Sequence, residues 1–480
     1  MIEKHISKLI LEKFEYTPTP SQKVLIEKLA SYILNHTASI KQREIFIIKG
    51  FAGTGKTTII SSLINALKDY KIKSVLLAPT GRAAKVLTTY SGENAFTIHK
   101  KIYRQKSSKD GFGKFILDIN LHTNTIFIVD EASMISNDSN GLSVFGSGRL
   151  LDDLLEYVFN NKNCRLIIVG DTAQLPPVGI DISQALKDEI LINYNFDVID
   201  IKLTDVVRHS LNSGILFNAT RVRKLVGNNN SKFPSIKLSG FNDIKYLNGE
   251  DLLEEITDAY NNSGIENCII VCRSNKRANK YNQGIRKSIL WREDEISVGD
   301  YLMIVKNNYF WCEENSDMDF IANGDIVEII KIGNYEERYD LRFANITVRF
   351  IDYDDIEIDV KIILDTLTIE TASLTSEDNK KLFYSVIEDY SELKTKKKQY
   401  KAVKNDPYFN ALQVKFSYAV TCHKAQGGQW DTVFIDQGYL VDDMINIEYL
   451  RWLYTAITRA TNKLFLVNFN KDFFEDLEEY

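Results

Sequence analysis

The chain has 480 residues, 44% hydrophobic and 26% charged, with a formal net charge of −6; that is too long for one ordinary core and argues for about three domains of a soluble globular protein. No apolar run approaches the roughly 20 residues that cross a bilayer, and the opening MIEKHISKLILEKFEY mixes acids with bases, unlike a signal peptide. The acidic balance excludes nucleic-acid coating over the whole surface but not a local basic channel, and five scattered cysteines without a C-x-x-C pair suit reduced thiols in the cytoplasm.

In chain order, a helical pattern over 22–34 follows Thr17-Pro18-Thr19-Pro20-Ser21, with Ser21 as the expected cap. Residues 44–49 form a short apolar run expected as a buried parallel strand, and 57–67 repeat apolar residues at helical spacing. Between them Gly50-Phe51-Ala52-Gly53-Thr54-Gly55-Lys56-Thr57 satisfies G-x-x-x-x-G-K-[ST], the phosphate-binding loop of nucleoside triphosphatases. Its backbone N–H groups, running on to Thr58 at the helix N-terminus, make an anion site. Gly53 and Gly55 supply backbone angles that side chains obstruct. Lys56 is expected on the β- and γ-phosphates, and the Thr57 hydroxyl in the Mg²⁺ shell.

From 45 to about 210, strands IFIIKG, SVLLAP, TIFIVDE, RLIIVGD and DVIDIKL alternate with helices, which predicts a parallel sheet. The run 126–131 ends on Asp130-Glu131, expected on a strand neighbouring that of the phosphate loop. Asp130 would hold Mg²⁺ through water, and Glu131 would orient or deprotonate the attacking water. Over 89–121, KKIYRQK and KFILDIN flank a glycine-rich tip and read as a β-hairpin. Its lysines and Arg104, interleaved with Tyr103, Phe112 and Phe115, suit single-stranded nucleic acid. Residues 134–149 read as a long polar loop.

A second α/β unit starts after 227–240 and is interrupted from about 296 to 364. There DYLMIVK, DIVEIIK, RYDLRF, NITVRF and DIEIDVKIIL alternate with period two, predicting five strands of a small barrel or sandwich. A lysine-rich helical stretch follows, and the α/β pattern resumes at 417–437. No His/Cys cluster has zinc spacing, which leaves Mg²⁺ as the one inferred metal.

Several separated segments span 19–460: Thr19-Pro20-Ser21-Gln22, GFAGTGKTT (50–58), LAPTGRAAKVL (77–87), Thr97-Ile98-His99, VDEASM (129–134), GDTAQLPPVG (170–179), LTDVVRH (203–209), VTCHKAQGGQW (420–430) and YTAITRA (454–460). In this order they resemble the motifs of superfamily 1 helicases, in the 5′→3′ branch of RecD-type and Dda-type proteins. The resemblance implies an α/β fold of two tandem RecA-like P-loop domains. The first would take 1–88 and 122–225, with 89–121 an inserted strand-separating hairpin. The second would take 226–295 and 413–480, with 296–412 an inserted Src-homology-3-like β-barrel and helical extension.

The same resemblance implies ATP and Mg²⁺ as cofactors and assigns roles to residues. Gln22 would read adenine, Gln174 would sense the γ-phosphate, Arg208 would approach from the first domain, and Arg459 would reach across from the second as an arginine finger. Thr80, Thr97, His99, Thr421 and His423 would touch the DNA backbone, fixing position without reading bases. Gln429 departs from the glutamate expected to touch the ribose. The implied activity is ATP-dependent 5′→3′ unwinding by a cytoplasmic monomer on single-stranded and forked DNA, with single-strand-binding or repair proteins as candidate partners. Two readings compete with it. One is an RNA-directed motor of the same superfamily, since nothing reads a 2′-hydroxyl. The other is a nucleic-acid-gated ATPase switch that never separates strands.

Overall fold

Short apolar runs buried on both faces pair into two parallel sheets, as helix-covered crossovers require. The computed structural model describes residues 2–34, 43–105, 115–137, 145–161, 163–177, 179–205, 212–227, 233–312, 320–351, 353 and 356–476. The first domain contributes β1 (Glu44–Gly50), β2 (Lys73–Ala78), β3 (Ala95–Thr97), β4 (Tyr103–Gln105), β5 (Phe115–Leu117), β6 (Thr125–Val129), β7 (Arg165–Gly170) and β8 (Asp197–Leu203). Six of them form one sheet in the order β3-β2-β6-β7-β1-β8, every pair parallel. Ile45 to Ile48 of β1 are wholly buried, with apolar clusters on both sides. One expectation is corrected here. The strand that ends at Asp130 is not a neighbour of β1, because β7 lies between them. Asp171, at the end of β7, is the acid on the adjacent strand.

The helix Pro20–Leu34 is capped by Thr19 rather than Ser21. Thr19 N–H donates to Gln22 Oε1 at 2.8 Å, and Gln22 N–H donates to Thr19 Oγ1 at 3.4 Å. This reciprocal pair is a capping box with glutamine at its third position. Ahead of it an unanticipated amphipathic helix, Ile2–Glu12, buries Ile6 and Ile10 against the same layer.

The second domain contains β9 (Ile244–Leu247), β10 (Cys268–Cys272), β11 (Tyr301–Ile304), β12 (Ile326–Arg338), β13 (Leu341–Phe350), β14 (Glu357–Ile363), β15 (Leu412–Phe416), β16 (Ala419–Thr421), β17 (Trp430–Asp436) and β18 (Ala460–Val467). Its parallel sheet runs β16-β10-β17-β18-β9, and β11 to β15 close a barrel. The structure differs from the sequence reading in two ways here. RYDLRF and NITVRF are not separate strands; the chain turns at Tyr339 and Asp340, both at positive φ, and 341–350 is one strand. The fifth barrel strand is instead β15, after the helical extension, pairing with both β11 and β14.

The helix Gly214–Gly227, expected in the first domain, packs in the second, where Ile215, Ala219 and Val222 join the core of Val433, Leu453 and Ile457. Asp300 locks barrel to sheet. It is wholly buried and accepts hydrogen bonds from Arg286 Nε (3.0 Å), Arg292 Nη1 (2.7 Å) and Tyr418 OH (2.9 Å). The helices Ser376–Glu388 and Lys396–Lys404 extend the barrel over a separate small core that includes Leu382, Val386 and Val403.

Candidate active site

The phosphate loop follows β1, and the helix Lys56–Asp69 leaves it. Gly53 and Gly55 have φ of 74° and 77°, where a side chain is strained. Lys56 Nζ donates to the carbonyls of Gly50 (2.6 Å) and Phe51 (3.1 Å), and its third donor has no partner among the described residues. A Cβ on Gly50 would lie 2.7 Å from Lys56 Cγ, so glycine there makes room for the lysine stem. Gln22 Nε2 donates to Thr54 O at 2.9 Å, and Gln22 is 1% exposed. Both ends of that amide are therefore engaged, one in the capping box and one in bracing the loop. The structure places Gln22 behind the loop as a brace.

At the end of β6, Asp130 Oδ1 accepts from Glu131 N–H at 2.8 Å and Oδ2 accepts from the Tyr90 hydroxyl. Burial and the Asp130 charge hold the Tyr90 hydroxyl well above its usual pKa, so it remains a donor. Each Asp130 oxygen keeps a lone pair. One carboxylate and one hydroxyl, Asp130 and Thr57, fit the sparse oxygen set on which Mg²⁺ sits with water and phosphate. Thr57 and Tyr90 line a cavity of about 540 Å³ together with Gln429, Arg82 and Trp430.

Glu131 has φ of 52°, a disfavoured backbone for a side chain of its size. Burial raises its pKa; Arg459 is the strongest opposing charge, Asp130 and Asp171 add to the rise, and Lys56 counters it. One carboxyl thus feels the phosphate loop, two strand ends of its own sheet and an arginine of the other domain. Gln174 is 6% exposed and its Oε1 is buried without a partner among the described residues. An orphaned buried acceptor marks a place for water or a ligand donor.

The second domain closes over this face. Arg459 is 3% exposed and is held by Thr455 O (3.0 Å), Gly428 O (3.0 Å) and Thr458 Oγ1 (3.2 Å). Across the cleft, Leu175 N–H donates to Thr455 Oγ1 (2.8 Å) and Gln426 Nε2 donates to Leu175 O (2.6 Å). Tyr454 OH accepts from Ala52 N–H (2.8 Å) and donates to Asp171 Oδ2 (2.6 Å). Gly427, at φ 74°, lets the second domain rest on the helix Gly81–Ser91; a Cβ there would come within 2.9 Å of Ala83 Cβ. Asp171 ends the run 164–171, and that strand end is expected on the same side as the phosphate loop; Tyr454 and Tyr90 were not singled out by sequence, although Tyr454 lies inside YTAITRA.

The residues expected on DNA divide into two groups. Thr80 and Thr97 cap the helices Gly81–Ser91 and Ile98–Ile102, accepting from Ala83 N–H (3.2 Å) and Lys100 N–H (3.1 Å). A capping hydroxyl spends a lone pair and keeps its proton, which a phosphate oxygen can accept. Thr421 stands at the start of the helix Cys422–Ala425 without a side-chain cap bond, and His423 is exposed beside a groove with Pro176, Pro177 and Glu448. His99 is different. Burial lowers its pKa to about 4, against the pull of Asp153, and its ring packs 4.8 Å from Phe145 and 5.7 Å from Tyr103. It is a neutral packing group.

In the hairpin, Lys100 to Ile102 are helical rather than extended, and only β4 and β5 pair, Tyr103 opposite Leu117. The Phe115 ring packs at a tilt against Phe145 (5.0 Å) and Tyr309 (4.3 Å) of the segment after β11, so the hairpin base is braced by the 145–149 end of the long loop and by the barrel. The tip at 106–114, the loop residues 138–144 and Arg208 lie outside the described residues.

Residues 33–214 match the AAA domain family, and residues 416–467 match the UvrD-like helicase C-terminal domain. An uncharacterized protein of Acanthamoeba polyphaga mimivirus is 27% identical over 92% of this chain and 98% of its own length. The ATP-dependent DNA helicase dda of Enterobacteria phage T4 is 25% identical over 89% of this chain and 96% of its own. A solved Pif1 helicase from Bacteroides in complex with ADP-AlF3 and ssDNA is similar at 16% identity, covering 97% of this chain and 96% of that one, with a TM-score of 0.46. With one family matched on each side of the cleft and a relative aligned along most of the chain, the protein is similar to the superfamily 1 helicases of the RecD/Dda type.

Proposed function

We propose that this chain is an ATP-driven motor that moves 5′→3′ along single-stranded DNA and separates duplex ahead of it. The observation that carries the reading is the set of hydrogen bonds that join the two domains across the cleft beside the phosphate loop, Leu175 N–H to Thr455 Oγ1 (2.8 Å), Gln426 Nε2 to Leu175 O (2.6 Å) and Tyr454 OH to Asp171 Oδ2 (2.6 Å). A cleft that assembles its catalytic charges only when two domains meet couples hydrolysis to domain movement. Both walls come from one chain, so a monomer suffices.

In this reading Lys56 leaves the carbonyls of Gly50 and Phe51 for phosphate oxygens, and the loop N–H groups hold the rest. Thr57 and Asp130 would hold Mg²⁺, which would supply positive charge beside the phosphates. Gln174 Oε1, the orphaned acceptor, accepts a hydrogen bond from one O–H of the attacking water, and Glu131 takes the proton of the other. Arg459 compensates the charge that develops on the transferred group. Thr80, Thr97 and Thr421 offer hydroxyls to the DNA backbone, and the braced hairpin stands as the strand separator. The 5′→3′ direction rests on kinship with the RecD/Dda branch. That kinship also suits a role in repair or recombination, in company with single-strand-binding proteins.

Comparing ATP turnover stimulated by oligothymidine with that stimulated by oligouridine tests the reading. A larger stimulation by DNA is expected. Equal or greater stimulation by RNA would favour the RNA-directed alternative.

A further inference from the structure

Two residues of the second domain hold the lip of the phosphate loop itself. Tyr454 OH accepts the Ala52 N–H at 2.8 Å while donating to Asp171 Oδ2 at 2.6 Å. Arg223, on the helix Gly214–Gly227, lies with its guanidinium carbon 4.2 Å from the centroid of the Phe51 ring. Phe51 and Ala52 are the first two variable positions of the loop, and both pack on the core of the second domain.

Their chemistry makes them sensitive to domain position. Asp171 is 1% exposed and forms no salt bridge among the described residues; the Tyr454 hydroxyl and Ala173 N–H (2.8 Å) are its partners. Both bonds of Tyr454 sit within the narrow hydrogen-bonding range, so an opening of about 1 Å breaks them. Arg223 Nη1 is buried without a partner among the described residues. A buried donor left unpaired is the mark of a group that serves a second arrangement.

We infer that Tyr454 and Arg223 form a clasp through which the second domain sets the conformation of the phosphate-loop lip, so that nucleotide release is gated by domain movement as well as by nucleotide contacts. Both are positioning residues, acting through Ala52 and Phe51. The inference rests on the ATP-driven reading above. Closed, the clasp fixes the loop around bound nucleotide; opened by DNA-driven movement, it frees the lip.

The test is stopped-flow release of a fluorescent ADP analogue, with and without oligothymidine, from the full chain and from Tyr454→Phe and Arg223→Ala. Tyr454→Phe keeps the buried ring and removes the bridge. The clasp predicts that release without DNA speeds up about tenfold, the effect of losing one hydrogen bond to a buried carboxylate. It also predicts that the rate ratio with and without DNA falls toward one, and that Arg223→Ala moves the same way. A merely structural tyrosine would lower the unfolding temperature and leave both rates alone, which would overturn the inference. Should the single variant fold poorly because Asp171 is left buried and charged, Tyr454→Phe with Asp171→Asn removes that charge. The pair must still lose its DNA dependence, and a wild-type response would overturn the clasp. A wild-type protein that hydrolyses ATP with DNA but releases ADP at a DNA-independent rate also overturns it, while leaving the ATPase reading standing. A wild type without DNA-stimulated hydrolysis fails both.

Discussion

Replacing Arg459 by alanine separates the chemistry of the cleft from its packing. The guanidinium makes three hydrogen bonds within its own domain, to Thr455 O, Gly428 O and Thr458 Oγ1. At about 1.5–3 kcal/mol for each bond from a charged group they amount to roughly 5–9 kcal/mol of folding stability. An arginine that compensates transition-state charge contributes about 10³–10⁵ in turnover, or about 4–7 kcal/mol of barrier. The two losses are of similar size, so the catalytic loss is read as turnover per folded molecule.

The pH profile carries a second signature. Burial raises the Glu131 pKa and Arg459 is its largest counterweight. Glu131 must be ionised to accept a proton, so turnover falls as pH drops through that raised pKa. Removing Arg459 raises it further and moves the acid limb to higher pH. Arg459→Lys keeps the charge, so its limb should stay near wild type while turnover falls by an intermediate factor. The assay is DNA-stimulated ATP hydrolysis from about pH 5 to 9, with thermal unfolding measured alongside. A loss under tenfold with an unmoved acid limb would refute the assignment of Arg459 and Glu131 to one reacting centre.

Other outcomes follow from single contacts. Lys56→Ala should abolish ATP turnover and leave single-stranded DNA affinity within a few-fold, read by fluorescence polarisation; normal turnover would overturn the phosphate-loop assignment. Gly427→Ala places a Cβ 2.9 Å from Ala83 Cβ and 3.1 Å from Thr80 Oγ1, at φ 74°. The left-handed backbone alone costs roughly 1–2 kcal/mol, and the clash pushes the domains apart. DNA affinity should therefore fall several-fold, and wild-type affinity would show that the cleft need not close this tightly.

Local features were the legible ones. The phosphate loop could be read because strand, loop and helix lie in one run of sequence and the glycines sit where φ is positive. The acid at Asp130 was legible as a strand end, but its distance from β1 was not, since nothing in the run 126–131 records that β7 inserts between them. The barrel's period-two strands were visible. Its closing strand was not, because β15 returns after two helices and continues through Ser417 and Tyr418 into the second sheet. Tyr339-Asp340 lacks the Asn-Gly signature of a two-residue turn, so one strand read as two. Thr19 and Gln22 cap each other, a role hidden behind a motif expected to read adenine. Tyr454 and Arg223 were missed for a different reason. The bonds from Tyr454 span 283 and 402 residues, and such pairings leave no local period to read.

The central claim is that closure of this cleft drives the chain 5′→3′ along DNA. Unwinding of duplexes carrying either a 5′ or a 3′ single-stranded tail, started by ATP, tests it most directly. The account predicts strand separation on the 5′-tailed duplex and none in Lys56→Ala. Unwinding of only the 3′-tailed duplex, or ATP hydrolysis at full rate with neither strand displaced, would contradict it.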